Sequence, residues 1–288
     1  MNQYTSAEIL KWRKQQLLLG GKKENLDWLL DLGGGLTWSD IQILFIDEHK
    51  SYSLLMSLDQ LSCLWSQHLE EKLPLQYLLG ICPWRDFVLE VSKSVMIPRQ
   101  ETELLIDFAL QRFPDMQKGK WADLGTGSGA LAIALNKAFP EWEGYVVDVS
   151  TDALVLAKKN LSYLAVNSKY SLHLGKWWEP LKHWWGELDL VLANPPYIPS
   201  SIVQTLDPII YLHEPHLALS GGVDGMDSLR EVIAGAYKSL NSGGCLMVEH
   251  HHDQSQRVLE LMNKGRLVNL CSENDLQGIK RFAIGYKP

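Results

Sequence analysis

Trp121-Ala122-Asp123-Leu124-Gly125-Thr126-Gly127-Ser128-Gly129 is a short apolar run that meets a glycine-rich turn, and the turn opens an apolar helical stretch over Ala130–Ala138. Glycines at 125, 127 and 129 let the backbone turn tightly and approach a ligand with no Cβ in the way. The helix start that follows presents unpaired N–H groups, which favour a carboxylate or phosphate. Asp148 lies near the end of the next apolar segment, Tyr145–Val149, 23 residues after Gly125. A carboxylate there accepts hydrogen bonds from both hydroxyls of a ribose, each worth about 1.5–3 kcal/mol. Dinucleotide sites also pair a glycine loop with a strand-end acid. Their usual spacing is G-x-G-x-x-G, whereas this chain has G-x-G-x-G.

Outward from the turn, apolar runs and helical stretches alternate. Strands are expected over Trp121–Leu124, Tyr145–Val149, Ser171–Leu174, Leu188–Ala193, Cys245–Glu249, Leu267–Cys271 and Arg281–Tyr286. Helices are expected over Ala130–Ala138, Thr151–Leu164, Ser228–Leu240 and Gln254–Met262. This alternation predicts an α/β domain on a mostly parallel, doubly wound sheet, with ligands beyond the carboxyl ends of its strands.

The choice between a nicotinamide cofactor and S-adenosylmethionine rests on Asn194-Pro195-Pro196-Tyr197, 69 residues after Gly125 at the end of the run Leu188–Ala193. Asn194 offers a side-chain carbonyl and Pro195 a backbone carbonyl. Neither Pro195 nor Pro196 donates a backbone N–H, both have a fixed φ, and each pushes its predecessor into an extended conformation. The result is a stiff shelf of acceptors, beside which Tyr197 can lay its ring against a flat group. Such a shelf suits a planar –NH2 whose nitrogen faces a sulfonium methyl. An amide nitrogen is a poor nucleophile because its lone pair is delocalised. Acceptors set off the relaxed amide geometry favour a pyramidal nitrogen, through preorganised electrostatics and near-attack positioning. A nicotinamide oxidoreductase has no use for two acceptors and needs an acid or base for hydride transfer.

Residues 1–79 read as a small helical bundle. Thr5 stands three residues before Glu8, the capping-box spacing, and Ser39-Asp40 is a second candidate cap. Leu26, Leu29 and Leu30, then Leu58, Leu61, Leu64, Trp65 and Leu69, recur at helical spacing, with Gly33-Gly34-Gly35 breaking the pattern between them. Residues 80–98 read as a β-hairpin linker: Phe87, Leu89 and Val91 alternate with polar or outward positions, Ser92-Lys93-Ser94 supplies the turn, and Val95-Met96-Ile97 returns. Residues 99–288 are expected to form the α/β domain that carries both motifs.

At this point the chain resembles the release factor glutamine methyltransferases, the HemK/PrmC family, over its whole catalytic half and the hinge before it. Pro74–Gly80 is similar to the family's segment ahead of the hairpin, and Ile97-Pro98-Arg99-Gln100-Glu101-Thr102-Glu103 to its I-P-R-P-E-T-E segment. Asp123–Gly129 and Asn194–Tyr197 match its two main motifs. Glu214-Pro215, Ala218-Leu219, Gly221-Gly222, Asp224-Gly225, Asp275-Leu276, Gly278 and Arg281 match later blocks. The resemblance implies a Rossmann-like, seven-stranded S-adenosylmethionine-dependent methyltransferase domain. It implies that Gly125, Thr126, Gly127, Ser128, Gly129, Asp148, Trp177 and Asn194 bind S-adenosyl-L-methionine, with S-adenosyl-L-homocysteine as product and Trp177 lining the adenine pocket. Asn194, Pro195, Pro196 and Tyr197 would hold the substrate glutamine, with Asn194, Pro195 and Tyr197 as the catalytic set. That glutamine lies in the Gly-Gly-Gln motif of peptide chain release factors, and its single methylation modulates translation termination. The helical domain would grip the release factor. Three positions depart from the family pattern: Gln100 replaces a proline and removes its stiffening ring, Lys176 stands where an acid is common, and His251 takes the place of a glycine after Glu249.

Composition sets the outer bounds. With 288 residues, 46% hydrophobic and 21% charged, the chain can bury a sizeable core, and its net charge is −7. Residues 1–80 hold 7 Lys/Arg against 10 Asp/Glu, about −3. That acidity disfavours the main rival, an adenine-specific DNA or RNA methyltransferase, which extrudes a base and holds phosphates with positive charge. A further rival, a cofactor-binding scaffold without catalysis, conflicts with the intact shelf and acid. No membrane, nucleic-acid or metal partner is expected, and the chain is expected to be a cytoplasmic monomer. Cys63, Cys82, Cys245 and Cys271 lack metal-ligand spacing and read as free thiols. His250-His251-His252 cannot converge on one metal and reads as solvent-facing. Trp178, Trp184 and Trp185 read as core packing.

Overall fold

The protein is described by a computed structural model over residues 2–165 and 169–288. Its contacts divide it into two units, Met1–Gly80 with Pro208–His213, and Ile81–Asp207 with Glu214–Pro288.

In the first unit, β1 (Gln3–Thr5) pairs antiparallel with β2 (Ser51–Ser53), beside helices α1 (Ser6–Leu19), α2 (Lys23–Leu32), α3 (Trp38–Leu44), α4 (Leu58–Glu70) and α5 (Leu75–Leu79). Three helices begin with capping boxes, at Thr5 with Glu8, Thr37 with Asp40, and Ser57 with Gln60. The cap expected at Ser39-Asp40 is thus two residues earlier, because Asp40 serves as the third helical residue and accepts from the Thr37 hydroxyl at 2.7 Å. Ile9, Leu26, Leu29, Leu30, Ile41, Leu61 and Trp65 pack as a buried core. A buried bidentate pair joins α1 to α2, with Arg13 Nε 2.6 Å from Asp27 Oδ1 and its Nη2 2.8 Å from Oδ2.

The second unit opens with a hairpin, β3 (Ile81–Trp84) against β4 (Phe87–Glu90), closed by Arg85-Asp86. The sequence pattern placed the return strand at Val95–Ile97 instead. Arg85 adopts φ 52°, a left-handed value rare outside glycine, and its backbone N–H and guanidinium donate to Glu103 Oε1 and O, both at 2.9 Å. A turn does lie near Ser92–Ser94, but Val95–Ile97 runs on without pairing as a strand.

Then follow α6 (Leu104–Arg112), β5 (Lys120–Leu124), α7 (Ala130–Ala138), β6 (Glu143–Asp148), α8 (Thr151–Leu164), β7 (Lys169–Leu174), β8 (Leu188–Ala193), α9 (Ser200–Val203), α10 (Pro208–Tyr211, a member of the first unit), α11 (Asp227–Ser239), β9 (Leu240–Glu249), α12 (Ser255–Lys264), β10 (Val268–Asn274) and β11 (Lys280–Tyr286). Among the described residues a seven-stranded sheet has the order β10-β11-β9-β8-β5-β6-β7, and β11 alone runs against its neighbours. The boundaries differ from expectation by small amounts: β6 stops at Asp148, leaving Val149 half exposed, and β9 starts at Leu240 rather than Cys245. Residues of β5 and β8 are buried in near-continuous runs, as strands covered on both faces must be. The chain crosses from β5 outward to β6 and β7, then back over to β8. The order therefore reverses between β5 and β8, where a crevice forms at the carboxyl ends of the strands.

Candidate active site

The loop leaving β5 is shaped by main-chain geometry. Gly125, Gly127 and Gly129 take φ of 79°, 55° and 87°, values that L side chains resist. Gly129 caps α7, and a Cβ there would lie 3.3 Å from the Ala157 Cβ of α8. Asp123 is wholly buried and accepts from the Thr126 hydroxyl at 2.6 Å, while its other oxygen has no partner; burial, with Asp148 nearby, pushes its carboxyl up to about 7. Asp148, at the end of β6, accepts from the Gly127 N–H and the Ser150 N–H, each at 2.9 Å. Burial raises its pKa above the usual carboxylate range, and those two donors oppose the shift. Each Asp148 oxygen keeps a lone pair for a further donor. Asn160 of α8 donates to Ser128 O and Glu90 O and accepts from Glu90 N–H, all at 2.9 Å, tying the loop to β4.

Trp177 follows β7 with φ 50°, a strained value for a bulky residue. Its ring lies over Gly125, where a Cβ would come within 3.1 Å of Cζ3. Its Nε1–H is buried without a partner. Lys176 does not meet an empty surface: its ammonium pairs with Glu231 of α11 at 2.8 Å, so an acid reaches it from a helix distant in sequence.

Past β8, Asn194 donates from Nδ2 to the Thr102 hydroxyl oxygen at 2.9 Å. Thr102 donates to Glu249 Oε2 at 2.6 Å, and the Tyr197 hydroxyl donates to Glu249 Oε1 at 3.0 Å. Glu249 is 1% exposed, and burial pushes its carboxyl up to about 7. Burial and the adjacent Glu249 also raise the Tyr197 phenol. Gln254 Nε2 donates to Tyr197 O at 2.9 Å and Gly225 O at 3.2 Å, fixing the backbone after the prolines. Arg99 grips Glu214, 1% exposed at its side chain, with Nη2 2.7 Å and 2.8 Å from the two carboxylate oxygens.

These arms meet at a cavity of about 560 Å³, the size range of sites for small organic ligands. Gly125, Thr126, Gly127, Ser128, Asp148, Trp177, Asn194 and Pro196 line it; Gly129, Pro195 and Tyr197 are not part of its wall. Pro195 is buried. Trp84, Arg99, Thr102, Ser220, Asp227 and Glu231 also line it, none of them assigned to the site from sequence. The Ile97–Glu103 segment was legible as a motif, but nothing in its spacing gave Thr102 a partner.

The three departures from pattern are absorbed locally. Gln100 adopts φ −66°, the value a proline ring imposes. His251 stays out of the left-handed region, its N–H donates to Gln254 Oε1 at 2.9 Å, and its ring meets Asp253 at 2.6 Å. The histidine run is not wholly solvent-facing: His250 is fully buried, because its N–H continues the pairing of β9 by donating to Arg281 O at 2.8 Å. Trp185 departs from the core expectation too, being 42% exposed, with Lys238 Nζ 5.6 Å from its ring centroid. Among the described residues no group of three or more metal-ligating side chains converges, and no helix is long and apolar enough to cross a membrane.

Residues 100–223 match the family described as methyltransferase small domain. The release factor glutamine methyltransferase of Prochlorococcus marinus is 55% identical over 287 residues, 99% of this chain and 98% of that protein. The protein of the same name from a Synechocystis species is 36% identical over 291 residues, covering 96% of each. Among solved structures, the catalytic domain of hMettl16 in complex with the MAT2A 3′UTR hairpin 6 covers 83% of this chain and 84% of its own at TM-score 0.57, with 12% identity, a likeness of fold alone.

Proposed function

Because this chain belongs to the release factor glutamine methyltransferase family, we propose that its cavity brings S-adenosyl-L-methionine together with the side-chain amide of the glutamine in the Gly-Gly-Gln motif of a peptide chain release factor. The enzyme is a protein-(glutamine) N-methyltransferase, and the product amide carries one methyl group.

The residues fit the cofactor. Asp148 retains acceptor capacity for ribose hydroxyls, Trp177 offers a flat ring beside Gly125, and nothing lies within 4 Å of the point where a Gly127 side chain would start. Gly125–Ser128 would carry the cofactor's near edge and Trp177 its adenine end, while Gly129 starts the helix behind it. When bound, S-adenosylmethionine supplies a methyl group on a positively charged sulfur and departs as S-adenosyl-L-homocysteine.

The observation that carries the substrate reading is the amide of Asn194. Its Nδ2 is committed to Thr102, so Oδ1 is the acceptor left on a residue that lines the cavity. Asn194 Oδ1 would take one hydrogen of the substrate –NH2, and the Pro195 carbonyl, which lies behind the wall of the cavity, would take the other as the substrate seats against the ledge. Pro195 and Pro196 contribute stiffness and withhold backbone donors, and Tyr197 braces the ledge through Glu249. No base is required before attack, because the nitrogen proton becomes acidic on methylation and leaves to water. We assign residues 1–79 to gripping the release factor, 80–98 to the linker and 99–288 to the chemistry, in a monomer working in a reducing cytoplasm.

Purified chain and labelled S-adenosylmethionine should label an intact release factor and leave a variant with its loop glutamine replaced unlabelled. Label moving to plasmid DNA or RNA instead would contradict the proposal.

A further inference from the structure

We propose that Glu249 is a positioning residue that decides which end of the Asn194 side chain faces the cavity, acting through Thr102; the inference rests on the amide-methylation reading above. The two ends of an asparagine amide have nearly the same shape, so only their partners distinguish them. Here the partners form a directed chain. An ionised carboxylate accepts and cannot donate, so the Thr102 hydroxyl, 2.6 Å from Glu249 Oε2, must place its one proton there. Its oxygen then receives a proton from elsewhere, and Asn194 Nδ2 at 2.9 Å gives it. The amide oxygen is thereby turned the other way. The second carboxylate oxygen takes the Tyr197 proton at 3.0 Å, so one buried group sets both ends of the Asn194–Tyr197 ledge.

The surroundings keep Glu249 in this role. It is 1% exposed, so water does not compete for its oxygens, and although the same burial raises its carboxyl to about 7, the hydroxyls of Thr102 and Tyr197 favour the ionised form that directs the chain. Arg281 of β11 and Glu101 also act on it, but the Arg281 guanidinium is engaged by Asp275, Nε to Oδ2 at 2.7 Å. Removing the carboxylate's symmetry changes the logic. A glutamine at 249 has one acceptor and one donor end. If its –NH2 faces Thr102, the hydroxyl accepts from it and turns its own proton toward Asn194. The asparagine then presents oxygen to Thr102 and –NH2 to the cavity, where it opposes the substrate –NH2. If its –NH2 faces Tyr197 instead, the phenol loses its acceptor.

The test uses the full chain with release factor and S-adenosylmethionine, in the variants Glu249→Gln, Thr102→Val, Thr102→Ser and the double Glu249→Gln/Thr102→Val. Glu249→Gln and Thr102→Val should each lower kcat by about 10–100-fold, the range typical when a partner that orients a functional group is lost. Calorimetric affinity for S-adenosylmethionine should hold within about twofold, because Asp148 and the glycine loop lie on a separate arm. Thr102→Ser keeps the hydroxyl and should restore turnover. The double variant should be no slower than the worse single, since both changes cut one chain. Thr102→Val is nearly isosteric, so it keeps the test open if Glu249→Gln folds poorly. Unchanged kcat in Thr102→Val, or losses that multiply in the double variant, would overturn this proposal alone. A wild-type chain that leaves the release factor unlabelled would overturn the methylation reading and this one with it.

Discussion

The loop after β5 and the ledge after β8 are neighbours in the sheet, yet they are held in different ways. The loop takes its shape from glycine conformations and from backbone N–H groups that grip Asp148. The ledge takes its orientation from side chains remote in sequence, with Thr102 and Glu249 147 positions apart. Each arm has one carboxyl that burial raises to about 7, Asp123 under the loop and Glu249 under the ledge, but only Glu249 sets the direction of side-chain hydrogen bonds that reach the ledge. Substitutions on the two arms should therefore separate binding from turnover.

The sharpest separation should come from Asn194→Ala. Removing one preorganised group that contacts the reacting atom costs about 10²–10³-fold in kcat, and calorimetry should find cofactor affinity largely kept. Equal loss of both would erase the distinction between the arms. Asp148→Ala should do the reverse, weakening S-adenosylmethionine binding by at least about 10–100-fold, the equivalent of one of its two charge-assisted hydrogen bonds. Unchanged affinity would remove its ribose role.

A smaller effect should follow pH. Burial lifts the Glu249 carboxyl from 4.5 to about 7, with Thr102, Tyr197 and Arg281 pulling it down and Glu101 pushing it up. Between those values the folded chain binds the proton that the unfolded chain has released. This contribution to stability is full below 4.5 and is lost as pH rises through about 7. If Glu249 directs Asn194 as proposed, turnover needs the carboxylate, so kcat should rise over the same approach to pH 7 while this stabilisation fades. Paired kcat and denaturation profiles from pH 5 to 8 would show the opposed slopes, and parallel slopes would break the assignment. Asp123, also raised to about 7 by burial, adds to the stability slope on the cofactor arm. The smallest effect should come from Gln100→Pro: φ is already −66°, so the ring should stabilise by about 0.4–1 kcal/mol or less, read as a slight rise in Tm.

What the sequence revealed follows the same division. Gly125–Gly129, Asp148 and Asn194–Tyr197 were legible because each is a local pattern tied to a strand end, and strand ends in an open α/β sheet gather at one edge. The helices Ala130–Ala138 and Thr151–Leu164 fell where their periodicity placed them. Contacts set by tertiary packing were not legible. Thr102, Glu249 and Asn194 carry no periodic signal that joins them. The hairpin return was misplaced because Arg85, rather than a glycine or asparagine, takes the left-handed turn position. The burial of His250 depends on β11 pairing with β9, which the residues around the histidine run do not announce.

A structure of the chain with S-adenosyl-L-homocysteine and a release factor tests the geometry of the ledge most directly. The entering glutamine's amide nitrogen should lie within about 2.7–3.2 Å of Asn194 Oδ1, with Asn194 Nδ2 still on Thr102. A side chain at 194 turned away from that nitrogen, with Thr102 and Glu249 otherwise intact, would contradict it.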